Sequence, residues 1–434
     1  MKNLGRASLL VGLSTLASCS KLNVPLDYTD KSSNKTLELD LIKYPAQNGP
    51  SQGSILLNFG GPGQDGLNSM VAYAPIQAPI TGGQFDLISW DPRGTGNTLR
   101  FACFEPEEIG TQYAQGVPDA SDTAPGQVWA EAQILAKTCG ETQKANGGLV
   151  GMAFTSRDMI EIVDALEEDG LLRYWGLSGG TALGATVAAM FPERVDKIIL
   201  DGVMNSHQYY HSFGNPAPRL QRRDLRRLPR RLRRHPQQVP LGTRFDTADE
   251  LKSAIADFFE DLNIANTLTL STLYRPNSYQ NLSRVIDGLL DGDTSPVADV
   301  FFGPGAAALS DLDAIEEEFR QESKLFPGFA RGYYVYACAL WPFEAKERYE
   351  GDFHVKTKNP LLFIGNTYDP VTPLASAKNM SAGFEGSVVL QHNGFGPSNC
   401  TIKAIQKYFA SGELPEADTV CEPNLPLFAE DPEI

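Results

Sequence analysis

Five consecutive residues, Gly176-Leu177-Ser178-Gly179-Gly180, set a serine between glycines in the pattern G-x-S-x-G. Where a strand turns straight into a helix there is no room for side chains beside the turning residue. Glycines therefore flank it, and the turn lifts the serine hydroxyl clear at the helix N-terminus. The chemistry open to such a hydroxyl is acyl transfer: it attacks a carbonyl carbon and holds the acyl group until water removes it. The tetrahedral intermediate needs hydrogen-bond donors for its oxyanion. The glycine turn Gly60-Gly61-Pro62-Gly63 can aim backbone amides at that oxygen, with the Gly179 amide as the second donor.

A serine of this kind needs a base, and the base needs a carboxylate to orient it. In a strand–turn–helix setting the chain order is serine, acid, histidine. Asp369 closes the apolar run Pro360–Asp369, and the turn "DPVTP" that it opens would hold its carboxylate at the edge of a sheet. The chain has five histidines; His207, His211, His235 and His354 precede Asp369, so order alone nominates His392 as the base.

The elements that must position these residues are legible as a pattern. The N-terminal half alternates short apolar runs with longer helical ones, which predicts a mostly parallel sheet covered by helices. Strands are expected at Ser54–Phe59, Phe85–Asp91, the run before Ser178, Asp196–Val203, Pro360–Asp369 and Ser387–His392. Ser156–Gly170 reads as a helix, with Ile160, Val163 and Leu166 on one face and Gly170 as its stop. Further helices are expected in the small-residue stretch after Ser178 and at Cys400–Gly412. Between Ser206 and Tyr333 the strand pattern ceases, and Thr247–Leu262 and Asp311–Ser323 read as helices. Such an insertion predicts a lid over the site. The expected division is a signal peptide over 1–18, a core over 19–205, a helical lid over 206–335 and the rest of the core over 336–434.

An apolar content of 42% is that of a globular chain. A net charge of −16 argues against nucleic acid as a partner. No apolar run reaches the ~18 residues of a membrane span. Lys2 and Arg6 followed by the uncharged stretch Ala7–Ala17 predict a signal peptide, with a short N-terminal helix as the alternative. "LASC", ending at Cys19, also fits a lipoprotein processing site. Six cysteines without metal spacing suit an exported protein with disulfides. Local pairing predicts Cys103–Cys139 and Cys400–Cys421, leaving Cys19–Cys338 as the remainder. Asn34, Asn281, Asn379 and Asn399 head glycosylation sequons. HExxH, GxGxxG and P-loop patterns are missing, so no metal or cofactor is expected.

One segment stands apart. Arg219–Arg234 holds nine arginines and one aspartate, a local charge of +8. It fits a solvated loop, a basic binding patch, or DNA translated in the wrong frame. Without aromatic residues for stacking, and with prolines breaking any helix, the patch reading is the weakest of the three.

As a set, "CSKLNVPLDYTD", "LLNFGGPGQDG", "FDLISWDPRGTGNT", "YWGLSGGTALGATVAAMFPERVDKIILDGV", "PLLFIGNTYDPVTPLASAKNMS" and "CTIKAIQKYFASGELPEADTVCEP" span nearly the whole chain outside the insertion. Together they resemble secreted α/β-hydrolases of the proline-iminopeptidase clan, peptidase family S33, in the tripeptidyl aminopeptidase-like group. The resemblance implies an α/β-hydrolase fold, Ser178 as nucleophile, Asp369 as acid, and oxyanion donors at Gly61 and Gly179. It implies peptide substrates, cleaved near the N-terminus to release a di- or tripeptide. An esterase of the same fold would look nearly identical. Two departures bear on activity. Gly179 stands where the family commonly has tyrosine. "GFG" runs directly into Pro397, where the family carries its catalytic histidine. A short deletion there, together with the arginine run, points to a mis-spliced gene model; an evolved, catalytically impaired fold that only binds peptide is the other reading. His392 lies five residues before Pro397, a stretch that spans over ~15 Å when extended, whereas a base must come within ~3 Å of the serine oxygen.

Overall fold

The computed structural model describes residues 18–104, 124–211, 340–369, 371–394 and 396–425, together with Glu250 and Asp287. The chain divides into two compact units. The first is Met1–Ala102, Gln143–Ala217 and Phe343–Asn424; the second is Cys103–Thr142, Pro218–Pro342 and Leu425–Ile434. The expected lid, the two helices predicted within it and the arginine run lie almost wholly outside the described residues, as do the proposed signal segment before Ser18 and Cys338.

In chain order the described elements begin with β1 (Ser18–Pro25), β2 (Thr36–Tyr44), β3 (Ser54–Asn58), α1 (Gly66–Ile80), β4 (Asp86–Trp90), α2 (Ala124–Thr142) and α3 (Met152–Ala165). There follow β5 (Leu172–Leu177), α4 (Gly179–Met190), β6 (Val195–Asp201), α5 (Ser206–His211), β7 (Leu362–Asn366), α6 (Leu374–Gly383), β8 (Val388–His392), α7 (Asn399–Ser411) and β9 (Val420–Cys421). The described strands form one sheet in the order β1-β2-β4-β3-β5-β6-β7-β8-β9. The β1–β2 and β2–β4 pairs are antiparallel; every pair from β4–β3 to β8–β9 is parallel.

Parallel strands need crossovers that lay helices on both faces, so the central strands are buried on both sides. All five residues of β3 and of β4 are buried. Successive side chains point to opposite faces. Ile55 and Leu57 pack with Met70 and Ala74 of α1 and with Ile405 and Phe409 of α7. Leu56, Ile88 and Tyr174 pack on the other face with Met159 and Val163 of α3, Leu183 and Val187 of α4 and Met380 of α6. This arrangement matches the α/β-hydrolase expectation. The helix expected from Ser156 begins earlier, at Met152, and ends at Ala165; Gly170 serves the following turn at φ +70°. Both locally predicted disulfides, Cys103–Cys139 and Cys400–Cys421, are present. Cys19 lies exposed on β1 and is unbridged. Among the described residues no helix is long and apolar enough to cross a membrane.

Candidate active site

Ser178 occupies the one-residue turn between β5 and α4 at φ +51°, ψ −117°. A non-glycine residue with positive φ is strained, and such strain is held only where neighbours over-determine it. Here they do. The Ser178 amide donates to the Asp201 carbonyl at the end of β6 (3.0 Å). The Ser178 carbonyl accepts the Thr181 amide and hydroxyl, and that hydroxyl in turn accepts the Met204 amide (2.9 Å). The elbow is thus latched to β6 and to the loop after it. Among the described residues, nothing hydrogen-bonds the Ser178 hydroxyl itself.

The glycine turn after β3 packs directly on the elbow. At Gly60, φ +98°, a Cβ would lie 2.6 Å from the Leu177 carbonyl and 2.9 Å from the Gly179 nitrogen. A Cβ on Gly179 would lie 2.7–3.0 Å from the backbone of Gly61. Neither position admits a side chain. The tyrosine common at the latter position in the resembling family therefore does not fit this turn as it stands. The Gly60 amide donates to Asn58 Oδ1 (3.0 Å), which fixes the start of the turn. As the first residue of α4, Gly179 keeps an amide without a partner inside its helix. The structure therefore brings together Ser178, Gly61 and Gly179.

Asp369 lies in the turn after β7. Its Oδ1 accepts the amides of Val371 and Thr372, both at 2.8 Å, and its Oδ2 accepts the Thr372 hydroxyl at 2.6 Å. This turn reaches the serine elbow through Gly202: a Cβ placed there would lie 3.2 Å from Thr372 Oγ1 and 3.8 Å from the Ser178 nitrogen. Asp201, the last residue of β6, has a buried carboxyl close enough to feel Asp369. Burial lifts its pKa to about 7, and the Asp369 charge pushes the same way. Chain order alone does not set Asp201 aside, since it too follows Ser178 and precedes His392. Its one visible signal was its place at the C-terminal end of the predicted strand Asp196–Val203.

His392 ends β8, paired in register with Asn366. Its carbonyl accepts the Thr367 amide (2.9 Å), but its ring points elsewhere: Nδ1 bonds Thr401 Oγ1, in the first turn of α7, at 3.0 Å. Burial lowers the ring's pKa, while a hydrogen bond to the Gly396 backbone and the charge of Glu422 act in the opposite direction. Among the described residues no hydrogen bond or ion pair joins His392 to Asp369 or Ser178. The reason lies in the short loop that follows. Asn393 N donates to the Cys421 carbonyl (2.8 Å), Ser398 Oγ to the Glu422 carbonyl (2.7 Å) and Asn424 N to the Pro397 carbonyl (2.9 Å), and the Cys400–Cys421 disulfide closes the clasp. That clasp holds the His392 ring against α7. Of the earlier histidines, His354 is exposed and bonds within its own loop to the Asp352 carbonyl, and His207 meets Phe353 edge to face; the His211 side chain and His235 lie outside the described residues.

A cleft of about 150 Å³ opens beside the glycine pair; Asn58, Gly60, Pro62, Arg93, Gly179 and Tyr209 are among its lining residues. Arg93 of the "DPRG" loop belongs to a buried network. Its Nε and Nη2 bond Asp158 at 2.6 and 2.8 Å, both side chains have 0% exposure, and two more guanidinium donors reach the carbonyls of Pro25 and Leu26. Tyr28 adds a hydrogen bond to Asp158 (2.7 Å) and lies with its ring centroid 5.0 Å from the guanidinium. A buried pair in which four of the five guanidinium donors are bonded holds its neighbours in place. This one ties the end of β1, the loop after β4 and α3 into the wall of the cleft.

The chain is similar in sequence to several known proteins. A family model described as "TAP-like protein" matches residues 327–421. The serine protease Hip1 of Mycobacterium tuberculosis is 24% identical over 470 residues, 93% of this chain and 87% of that protein. The tripeptidyl aminopeptidase of Streptomyces lividans is 23% identical over 466 residues, 94% of this chain and 84% of that protein. Carboxylesterase B of Mycobacterium tuberculosis is 26% identical over 488 residues, 94% of this chain and 86% of that protein.

Proposed function

We propose that the chain is a TAP-like α/β-hydrolase, acting as a secreted serine aminopeptidase that releases di- or tripeptides from peptide N-termini. The observation that carries this reading is the elbow: Ser178 at φ +51°, with Gly60 and Gly179 in backbone contact beside it. Ser178 Oγ attacks the scissile carbonyl and gives up its proton to the base. The Gly61 and Gly179 amides take the oxyanion. Collapse of the intermediate expels the peptide's new N-terminal amine, protonated by the base, and leaves an acyl-enzyme that water opens by the same steps. Asp369 orients the base. We assign that base to His392, which requires its ring to exchange Thr401 for the Asp369 side of the sheet edge. Two disulfides accord with export, since such bridges persist in oxidising compartments.

A second reading is favoured by one observation. Asp369 is held by three hydrogen bonds from its own turn and His392 is held by Thr401, so a chain that cannot make the exchange keeps the binding frame without turnover. Two measurements decide. A fluorophosphonate probe labels Ser178 rapidly only if a base serves it. Tripeptide p-nitroanilides compared with short p-nitrophenyl esters separate peptidase from esterase, and ester cleavage without amide cleavage would sink the aminopeptidase assignment.

A further inference from the structure

The cleft beside the oxyanion glycines has a composition that selects substrates. It runs along Gly179, one of the two proposed oxyanion donors, and along Gly60, the residue before the other. An acyl group whose oxygen rests on the Gly179 amide would have its next carbon close to this cleft. Its walls are largely apolar, with Met152, Leu183 and the ring of Tyr209. Among its described lining residues the charged one is Arg93, and that charge is already neutralised by Asp158 at 2.6 and 2.8 Å. A charged substrate side chain entering here would lose water and gain no counter-ion, and a cationic one would also approach Arg93; burying an unpaired charge is strongly unfavourable. The volume, about 150 Å³, matches the size of cavity that accommodates a benzene ring. Tyr209, 39% exposed, stands on the solvent side as a wall that can be cut back without opening the core.

We propose that this cleft receives the side chain of the substrate residue that supplies the scissile carbonyl. It selects an uncharged residue of small to medium size, and Tyr209 sets the upper limit. The assignment rests on the serine-hydrolase reading for the identity of the neighbouring glycines, and its test is built to fail separately from that reading. The probes are product tripeptides Ala-Ala-X, bound to the full chain carrying Ser178→Ala and measured by calorimetry, so that no working base is required. Ala-Ala-Pro and Ala-Ala-Leu are expected to bind about tenfold or more tighter than Ala-Ala-Lys and Ala-Ala-Glu. Tyr209→Ala is expected to raise the affinity for Ala-Ala-Trp relative to Ala-Ala-Ala by about tenfold, and Tyr209→Phe to keep the parent order. Equal binding of the charged peptides, no binding of any of them, or a Trp-to-Ala ratio unmoved by Tyr209→Ala overturns the proposal. Fluorophosphonate labelling of the parent chain reports on the hydrolase reading alone. A correct rank order without labelling leaves the cleft assignment standing and removes the hydrolysis; labelling with a flat peptide series does the reverse.

Discussion

Two corners of one sheet edge differ in what holds them. The serine corner, where β3, β5 and β6 end, is built from backbone: the Ser178 amide on the Asp201 carbonyl, and Gly60 and Gly179 packed with no space for a Cβ. The base corner, where β7 and β8 end, is built from side chains on loops: Asp369 wrapped by Val371 and Thr372, and His392 turned onto Thr401. A backbone-held site has one arrangement, because each contact is a strand end or a helix start. A side-chain site has as many arrangements as its loop lengths allow, and the short Asn393–Ser398 loop has chosen one that parts the histidine from the acid. In this molecule the scaffold around the proposed nucleophile is held by backbone, while the proposed proton relay depends on a few residues of loop.

The serine corner can be broken outright. Ser178→Ala should abolish fluorophosphonate labelling and lower tripeptide p-nitroanilide hydrolysis by ~10³-fold or more. At the base corner, His392→Gln should cost ~10³-fold in kcat if the ring makes its exchange, with circular dichroism unchanged. The contrast between the corners sharpens if His392→Gln is silent and Pro397→His speeds labelling, for the relay then belongs to the loop and not to the strand end. Gly179→Ala strikes the backbone corner more gently. A Cβ 2.7 Å from Gly61 must displace one oxyanion donor, and kcat should fall ~10²-fold with KM little changed. The paired change Cys400→Ser and Cys421→Ser releases the clasp behind His392. It opens a loop with a sequence separation of 21 and should cost about 3 kcal/mol of stability in denaturant titrations. Labelling that quickens in this variant would show that the clasp restrains the histidine.

Legibility in the sequence follows the same division. The elbow, the glycine turn and the parallel strands were readable because each depends on local chemistry: glycines at a tight turn, and apolar runs of strand length. Asp369 was nominated by its place at the end of a predicted strand; the strand itself stops at Asn366, and Asp369 lies in the turn beyond it. The antiparallel β1 and β2 went unread although Leu37, Leu39 and Leu41 of β2 alternate into the core as a half-buried strand should. Helix α1 was hidden by Pro75 and Pro79 and by its lack of any charged residue to mark an outer face. The direction of the His392 ring could not be read at all. It is set by Thr401 and the segment 421–424, which come near only through the β8–β9 pairing and a disulfide. Asp201 was missed for a related reason: a carboxylate that ends a strand looks like any turn aspartate until its burial is known.

Asp201 joins the two corners, its carbonyl holding the Ser178 amide and its carboxyl feeling the Asp369 charge. The smallest expected effect tests that link. In the folded chain its pKa is about 7, against an ordinary value of 3.8 that the unfolded chain should keep. Between those values the folded state binds a proton that the unfolded state has released. The contribution of this group to stability is therefore full below pH 3.8 and is lost as pH rises through about 7. Asp201→Asn keeps the shape and cannot ionise. Measured as the difference in Tm from the parent chain, the variant should gain about 2–4 °C between pH 5 and pH 8, with most of the change below about pH 7 and a plateau above it. A difference that stays flat with pH would mean that the folded chain already accommodates the Asp201 charge, and that Asp369 does not feel it. The carboxylates at the strand ends would then be independent, and the base corner could be rebuilt around Pro397 without disturbing the serine corner.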